Sequence, residues 1–165
     1  MNENASLFFV DRHVDSHIKE KKAFIEYGSK QKFITYADLH EQSSKLRHFF
    51  SKFKINREDR VIILMQDVIS YPIIFWGCLK SGVVPVLLNT LLSSEVVNDI
   101  INNCRAKAVF ISSGLLSSFE NSVKENVNIK HIIEVGTKIS NYINFDEEIQ
   151  KCSFKDTIKC SKDEI

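Results

Sequence analysis

The sequence predicts an α/β fold: a parallel sheet of βαβ units with flanking helices and a small N-terminal hairpin. Apolar runs at 61–65, 83–88, 108–111 and 131–135 are short, rich in β-branched residues and bounded by turn signals, the composition of strands buried on both faces. Counted from 61, 84, 108 and 131, the strand starts are 23, 24 and 23 residues apart, which leaves room each time for one helix and two turns. The intervening segments carry helical periodicity with recognisable ends.

Taken in order, residues 24–27 and 32–35 flank Gly28-Ser29 and read as a hairpin. Thr35 and Asp38 resemble a capping box opening a helix whose stripe is Leu39, Leu46, Phe50 and Phe53, with Asn56 as its expected stop. After the first long strand, Ser70 is the expected cap of a helix with Pro72 in its opening turn and Gly82 at its close. Ile73, Ile74, Phe75, Trp76 and Leu79 leave that helix almost no polar face. Ser93 or Ser94 caps the next helix, which carries Val96, Val97, Ile100, Ile101 and Cys104 at helical spacing. Leu115, Leu116, Phe119 and Val123 mark a third crossover helix, and residues 144–150 read as a short acidic one. Three stretches result: hairpin and first helix over about 24–54, βαβ units over about 60–136, and a tail over 137–165 without a clear period.

Composition narrows the function classes. With 165 residues and 44% hydrophobic content, the chain fits one domain with its own core. Its 22 Lys and Arg against 21 Asp and Glu leave a formal charge of +1, too little positive field to hold a nucleic-acid backbone. Residues 68–92 carry one charge, Lys80, over a span that could cross a bilayer, but Pro72, Gly77, Gly82 and Pro85 divide them into a buried helix and a buried strand. Cysteines at 78, 104, 152 and 160 lack metal or redox spacing and fit reduced thiols. No signal or transit peptide is expected at the start of the chain, which points to the cytoplasm.

Candidate chemistry is sparse. Gly77 and Gly82 have the first spacing of a phosphate loop, but the segment runs from helix into strand and lacks the Lys and hydroxyl such a loop requires. His13 and His17 stand four apart, as on a zinc-binding helix face, without a glutamate between them or a third ligand nearby. Ser51 and Lys54 have Ser-x-x-Lys spacing on a lysine-rich helix. Cys78 and Cys104 fall on apolar stripes, and Asp146, Glu147 and Glu148 read as a solvated face. Lys80 is accounted for at this level by snorkelling and by the negative end of its helix.

A family resemblance supplies what spacing does not. Ile34-Thr35-Tyr36-Ala37-Asp38-Leu39 ahead of a long amphipathic helix resembles the first core motif of the adenylate-forming (AMP-binding) acyl-CoA synthetase superfamily. Leu79-Lys80-Ser81-Gly82-Val83-Val84-Pro85-Val86-Leu87-Leu88-Asn89-Thr90 resembles the second, in the family's order and distance. Glu58-Asp59-Arg60-Val61-Ile62-Ile63-Leu64 and Cys104-Arg105-Ala106-Lys107-Ala108-Val109-Phe110 are similar to segments entering the family's strands, so the resemblance covers roughly residues 5–136. Phe9-Val10-Asp11-Arg12-His13-Val14 and Asn89-Thr90-Leu91-Leu92 are most similar to the benzoate-CoA ligase group.

The resemblance implies part of the large N-terminal domain of an enzyme that uses ATP and Mg²⁺ to convert a small carboxylic acid into an acyl-adenylate and then transfers the acyl group to CoA. Some aryl-CoA ligases have Pro-Arg where Thr90-Leu91 stand here, so no CoA contact carries over. The family's nucleotide loop, adenine and aryl pockets and mobile C-terminal domain all follow the region matched, and Ser161-Lys162-Asp163-Glu164-Ile165 resembles the lead-in to that loop. The expectation is therefore an N-terminal scaffold with no catalytic, cofactor-binding or metal residue of its own, inactive alone and prone to self-association. An adenylation domain loading a carrier protein, or a non-catalytic α/β binding domain, are the alternatives.

Overall fold

The computed structural model describes residues 4–28 and 30–159. In chain order the elements are α1 (Ala5–Phe9), β1 (Lys22–Glu26), β2 (Lys32–Thr35), α2 (Tyr36–Lys52), β3 (Arg60–Leu64), α3 (Ser70–Ser81), β4 (Val84–Leu87), α4 (Ser94–Cys104), β5 (Ala108–Ser112), α5 (Leu116–Lys124), β6 (His131–Val135), β7 (Ile143–Asn144) and α6 (Phe145–Ile149). β1 and β2 form the expected antiparallel hairpin; Ser29 of its turn lies outside the described residues. The other five strands make one parallel sheet in the order β4-β3-β5-β6-β7. Pro85 is accommodated because β4 is an edge strand, paired only with β3.

Alternation along the central strands fills two cores. Val61, Ile63, Ala108 and Phe110 face α2, α3 and α6, where Phe49, Phe50 and Phe145 join Phe110 in an aromatic cluster with ring centroids 5.8–6.1 Å apart. Ile62, Leu64, Val109 and Ile111 face the aliphatic residues of α4 and α5. Burial on both faces is what the continuous apolar runs require. Among the described residues no helix is long and apolar enough to cross a membrane.

Three helices end the same way, and that ending hands the chain to the next strand. At Lys54, Gly82 and Arg105 the backbone turns left-handed, with φ of 54°, 68° and 50°. The following N–H then reaches back into the last turn: Ile55 to Phe50 O, Val83 to Cys78 O and Ala106 to Ile101 O. The stop of α2 therefore comes at Lys54 rather than Asn56, whose N–H is taken by Asp59.

At the helix starts, the Thr35/Asp38 capping box and the Ser93 cap form as expected. Ser70 does not cap α3. The Ile69 N–H is bound by the Glu26 carboxylate from the hairpin, which leaves the Ser70 hydroxyl to reach Asp146 at 3.3 Å. His13 and His17 do not share a helix face: His13 closes a single 3-10 turn over Asp11–His13, and its ring packs on Tyr36. The tail contains a strand the periodicity did not suggest, β7, beside the acidic helix α6.

Candidate functional site

Open parallel sheets bind ligands outside the carboxyl ends of their strands, at the point where strand order reverses. Here that point lies between β3 and β5, because the chain leaves β3 for β4 on one side and then crosses to β5 on the other. A cleft of about 680 Å³ opens at this rim, lined by Gln66, Ser112, Ser113, Gly136, Thr137 and Asp146. Ser112 Oγ accepts the Gln66 N–H at 3.0 Å, tying the ends of β3 and β5. Ser113 Oγ lies 3.0 Å from Val135 O and 2.6 Å from Thr137 O, tying β5 to β6. Asp146 accepts the Gly136 N–H at 2.7 Å and so fixes α6 against the rim. Each of these polar groups already holds the scaffold together. The cleft can receive a ligand, and Ser70 on its wall donates its hydroxyl to Asp146 at 3.3 Å.

Next to it, across Glu26, Val68 and Ile69, runs an apolar groove of about 440 Å³ between the hairpin and α3, lined by Phe24, Ile25, Tyr71, Phe75, Trp76 and Leu87. The opposite side of α3 is closed. There the Cβ of any residue replacing Gly77 would stand 2.4 Å from Leu46 Cγ, so glycine is what lets α2 and α3 approach.

The end of α3 holds a group that spacing could not reveal. Lys80 does not snorkel: its side chain is 1% exposed. Its ammonium binds Asp11 Oδ1 and donates to Ser44 Oγ at 3.0 Å. His40 Nδ1 lies 2.8 Å from the same Asp11 oxygen and 3.1 Å from the Lys80 ammonium. Thr157 Oγ1 donates to Asp11 Oδ2 at 2.8 Å. Burial pushes the Asp11 carboxyl up, but the hydrogen bonds from His40, Lys80 and Thr157 and the Lys80 charge outweigh it and hold the group below its ordinary value. Burial pulls the Lys80 ammonium down against the opposing pull of Asp11. The signal in the sequence was the single charge in an otherwise apolar stretch; its partner lies 69 residues away.

The remaining candidates do not converge on chemistry. Ser51 and Lys54 meet through a backbone hydrogen bond that closes α2. Burial raises the thiols of Cys78, Cys104 and Cys152, which makes them poor nucleophiles; Cys160 lies outside the described residues, as do residues 161–165. Glu147 pairs with Lys138, and Glu148 with Lys52 and Lys151. Among the described residues no three His, Cys, Asp or Glu side chains are grouped to hold a metal. Gly77 and Gly82 are used for helix packing and a helix stop, so neither is free to cradle a phosphate.

Fold and rim together define a class, and the comparisons say which. Residues 10–163 match the AMP-binding enzyme family, and the chain belongs to it. It is 32% identical over 133 residues to the 4-hydroxybenzoate–CoA/benzoate–CoA ligase of Rhodopseudomonas palustris, covering 81% of this chain and 24% of that protein. It is 30% identical over 124 residues to a long-chain-fatty-acid–CoA ligase of Haemophilus influenzae, covering 74% of this chain and 21% of the relative. The chain thus spans about a quarter of the length of these curated relatives. In three dimensions, the anthranilate CoA ligase AuaEII in complex with anthranoyl-AMP superposes with a TM-score of 0.90 at 19% identity, over 99% of this chain and 31% of that one. A benzoate CoA ligase from Burkholderia xenovorans LB400 gives 0.79 at 24% identity, over 98% of this chain and 30% of that one. These two establish the shared fold.

Proposed function

We propose that residues 1–165 are the opening scaffold of a cytoplasmic, AMP-forming acid–thiol ligase that activates an aromatic, benzoate-like carboxylic acid with ATP and Mg²⁺ and delivers it to CoA. The observation that carries the reading is the 32% identity, over most of this chain, to a ligase named for benzoate and 4-hydroxybenzoate. In this reading the chain contributes the sheet, the helices and one wall of the rim cleft. Residues outside it supply the groups that bind nucleotide and metal, as the scaffold commitments of Ser112, Ser113 and Asp146 support. The chain alone is then inactive.

The test uses the full-length ligase that this reading requires. Pyrophosphate release should be seen with benzoate or 4-hydroxybenzoate, with CoA as acyl acceptor, and be far weaker with acetate or a long-chain fatty acid. Activity confined to fatty acids would overturn the aromatic assignment and keep the ligase. Acyl-adenylate formation with transfer only to a carrier protein would replace CoA as the partner.

A further inference from the structure

Residues 150–159 have no regular secondary structure, yet they follow a defined path across α2 to the end of α3. Isolated hydrogen bonds rather than a strand ladder hold them there. Ser153 donates its N–H to His48 Nδ1 at 2.9 Å, and Arg47 donates to Asp156 O at 2.6 Å. Thr157 donates to Asp11, and Ile158 donates its N–H to Lys80 O at 2.9 Å. The Ile158 side chain covers Gly82, where any added Cβ would stand 2.3 Å from its Cδ1.

This strap therefore ends on the buried Lys80–Asp11 pair. A buried ion pair is a poor source of stability, since apolar residues of similar volume are often as good, and its attested use is to fix position. The geometry suits that use. One Asp11 oxygen is held within the helix pair by Lys80 and His40, and the other is left for Thr157.

We infer that Asp11 and Lys80 are positioning residues: the ammonium fixes the carboxylate between α2 and α3, and the carboxylate fixes Thr157, so that residues 152–159 lead out of the scaffold along one course. The inference rests on the proposed function in one respect, that the nucleotide site is built by residues following this strap. Thr157 itself touches neither substrate nor cofactor in this account.

The decisive variant is Thr157→Val, which removes only the outer hydrogen bond. In the full-length ligase it should raise the KM for MgATP about tenfold, the effect of losing one charge-assisted hydrogen bond. The KM for the acid should stay at its wild-type value, the melting temperature should fall by no more than about a few degrees, and Thr157→Ser should restore the MgATP value. In the 165-residue chain, Thr157→Val should speed amide exchange of residues 153–158 severalfold. The double variant Asp11→Leu/Lys80→Met should do the same while the chain remains folded. An unchanged KM for MgATP, or a parallel rise for both substrates with a larger fall in melting temperature, would overturn the positioning role. If the wild-type full-length protein forms no adenylate with any acid, the ligase reading fails on its own. Exchange then decides the pin: faster strap exchange in both variants supports it, and unchanged protection refutes it.

Discussion

The two sides of α3 treat their side chains in opposite ways. At its C-terminal end the chain buries an ammonium and surrounds it with a carboxylate, a hydroxyl and an imidazole drawn from residues 11, 44 and 40. Along its outer side it leaves Phe24 42% and Ile25 51% exposed beside Phe75 and Trp76 in an open groove. The ammonium at this junction is thus partnered within the chain, whereas the apolar side chains of the groove are left open. The polar junction is complete in itself; the groove has the character of a face that meets something further.

The largest effect should come from breaking the complete side. Lys80→Ala strands the Asp11 carboxylate in a site only 12% exposed and should cost about 3–5 kcal/mol in urea unfolding. A loss below about 1 kcal/mol would remove the distinction between the two regions. The junction also has a pH signature. Asp11 is held below its ordinary pKa, so its contribution is fully present above the unfolded carboxylate value of about 3.9 and is lost as pH falls through the depressed folded value. Asp11→Asn should flatten that acid limb of the stability curve, and an unaltered limb would show that Asp11 is not the group responsible.

A smaller effect is expected from Gly77→Ala, about 1–3 kcal/mol, because α2 must yield to a methyl standing 2.4 Å from Leu46 Cγ. On the open side, Trp76→Ser should shift stability by only about 1 kcal/mol. It should, however, lower the binding of an apolar dye and the light scattering of the concentrated chain. Equal dye binding by variant and wild type would count against the groove as an exposed apolar surface.

Much of this architecture was legible because burial on both faces writes an unbroken apolar run. The central strands at 61 and 108 are such runs, whereas the edge strand at 84 is only half-buried with Leu87 exposed, and the strand at 131 includes His131 and a buried Glu134; Gly82 and the Thr35/Asp38 box announce helix ends through their own chemistry. Strand β7 was not legible, since two residues cannot display a period. Lys54 and Arg105 turn left-handed without being glycine, so the stop of α2 was read two residues late. Ser70 lost its capping role to Glu26, a competitor from a distant hairpin. Lys80 was misread for the same reason: its environment is assembled from residues 11, 40, 44 and 157, and helix position says nothing about them. The rim cleft was likewise invisible, because strand order rather than local sequence creates it.

The central claim is that this chain is scaffold and that the nucleotide site is built outside it. Calorimetric titration of residues 1–165 with Mg-ATP and with an aryl-adenylate mimic tests it most directly, beside the same titration of the full-length ligase. The account predicts no saturable heat for the 165-residue chain and saturable binding of both ligands by the full-length ligase. Saturable binding of Mg-ATP by residues 1–165 alone would contradict it.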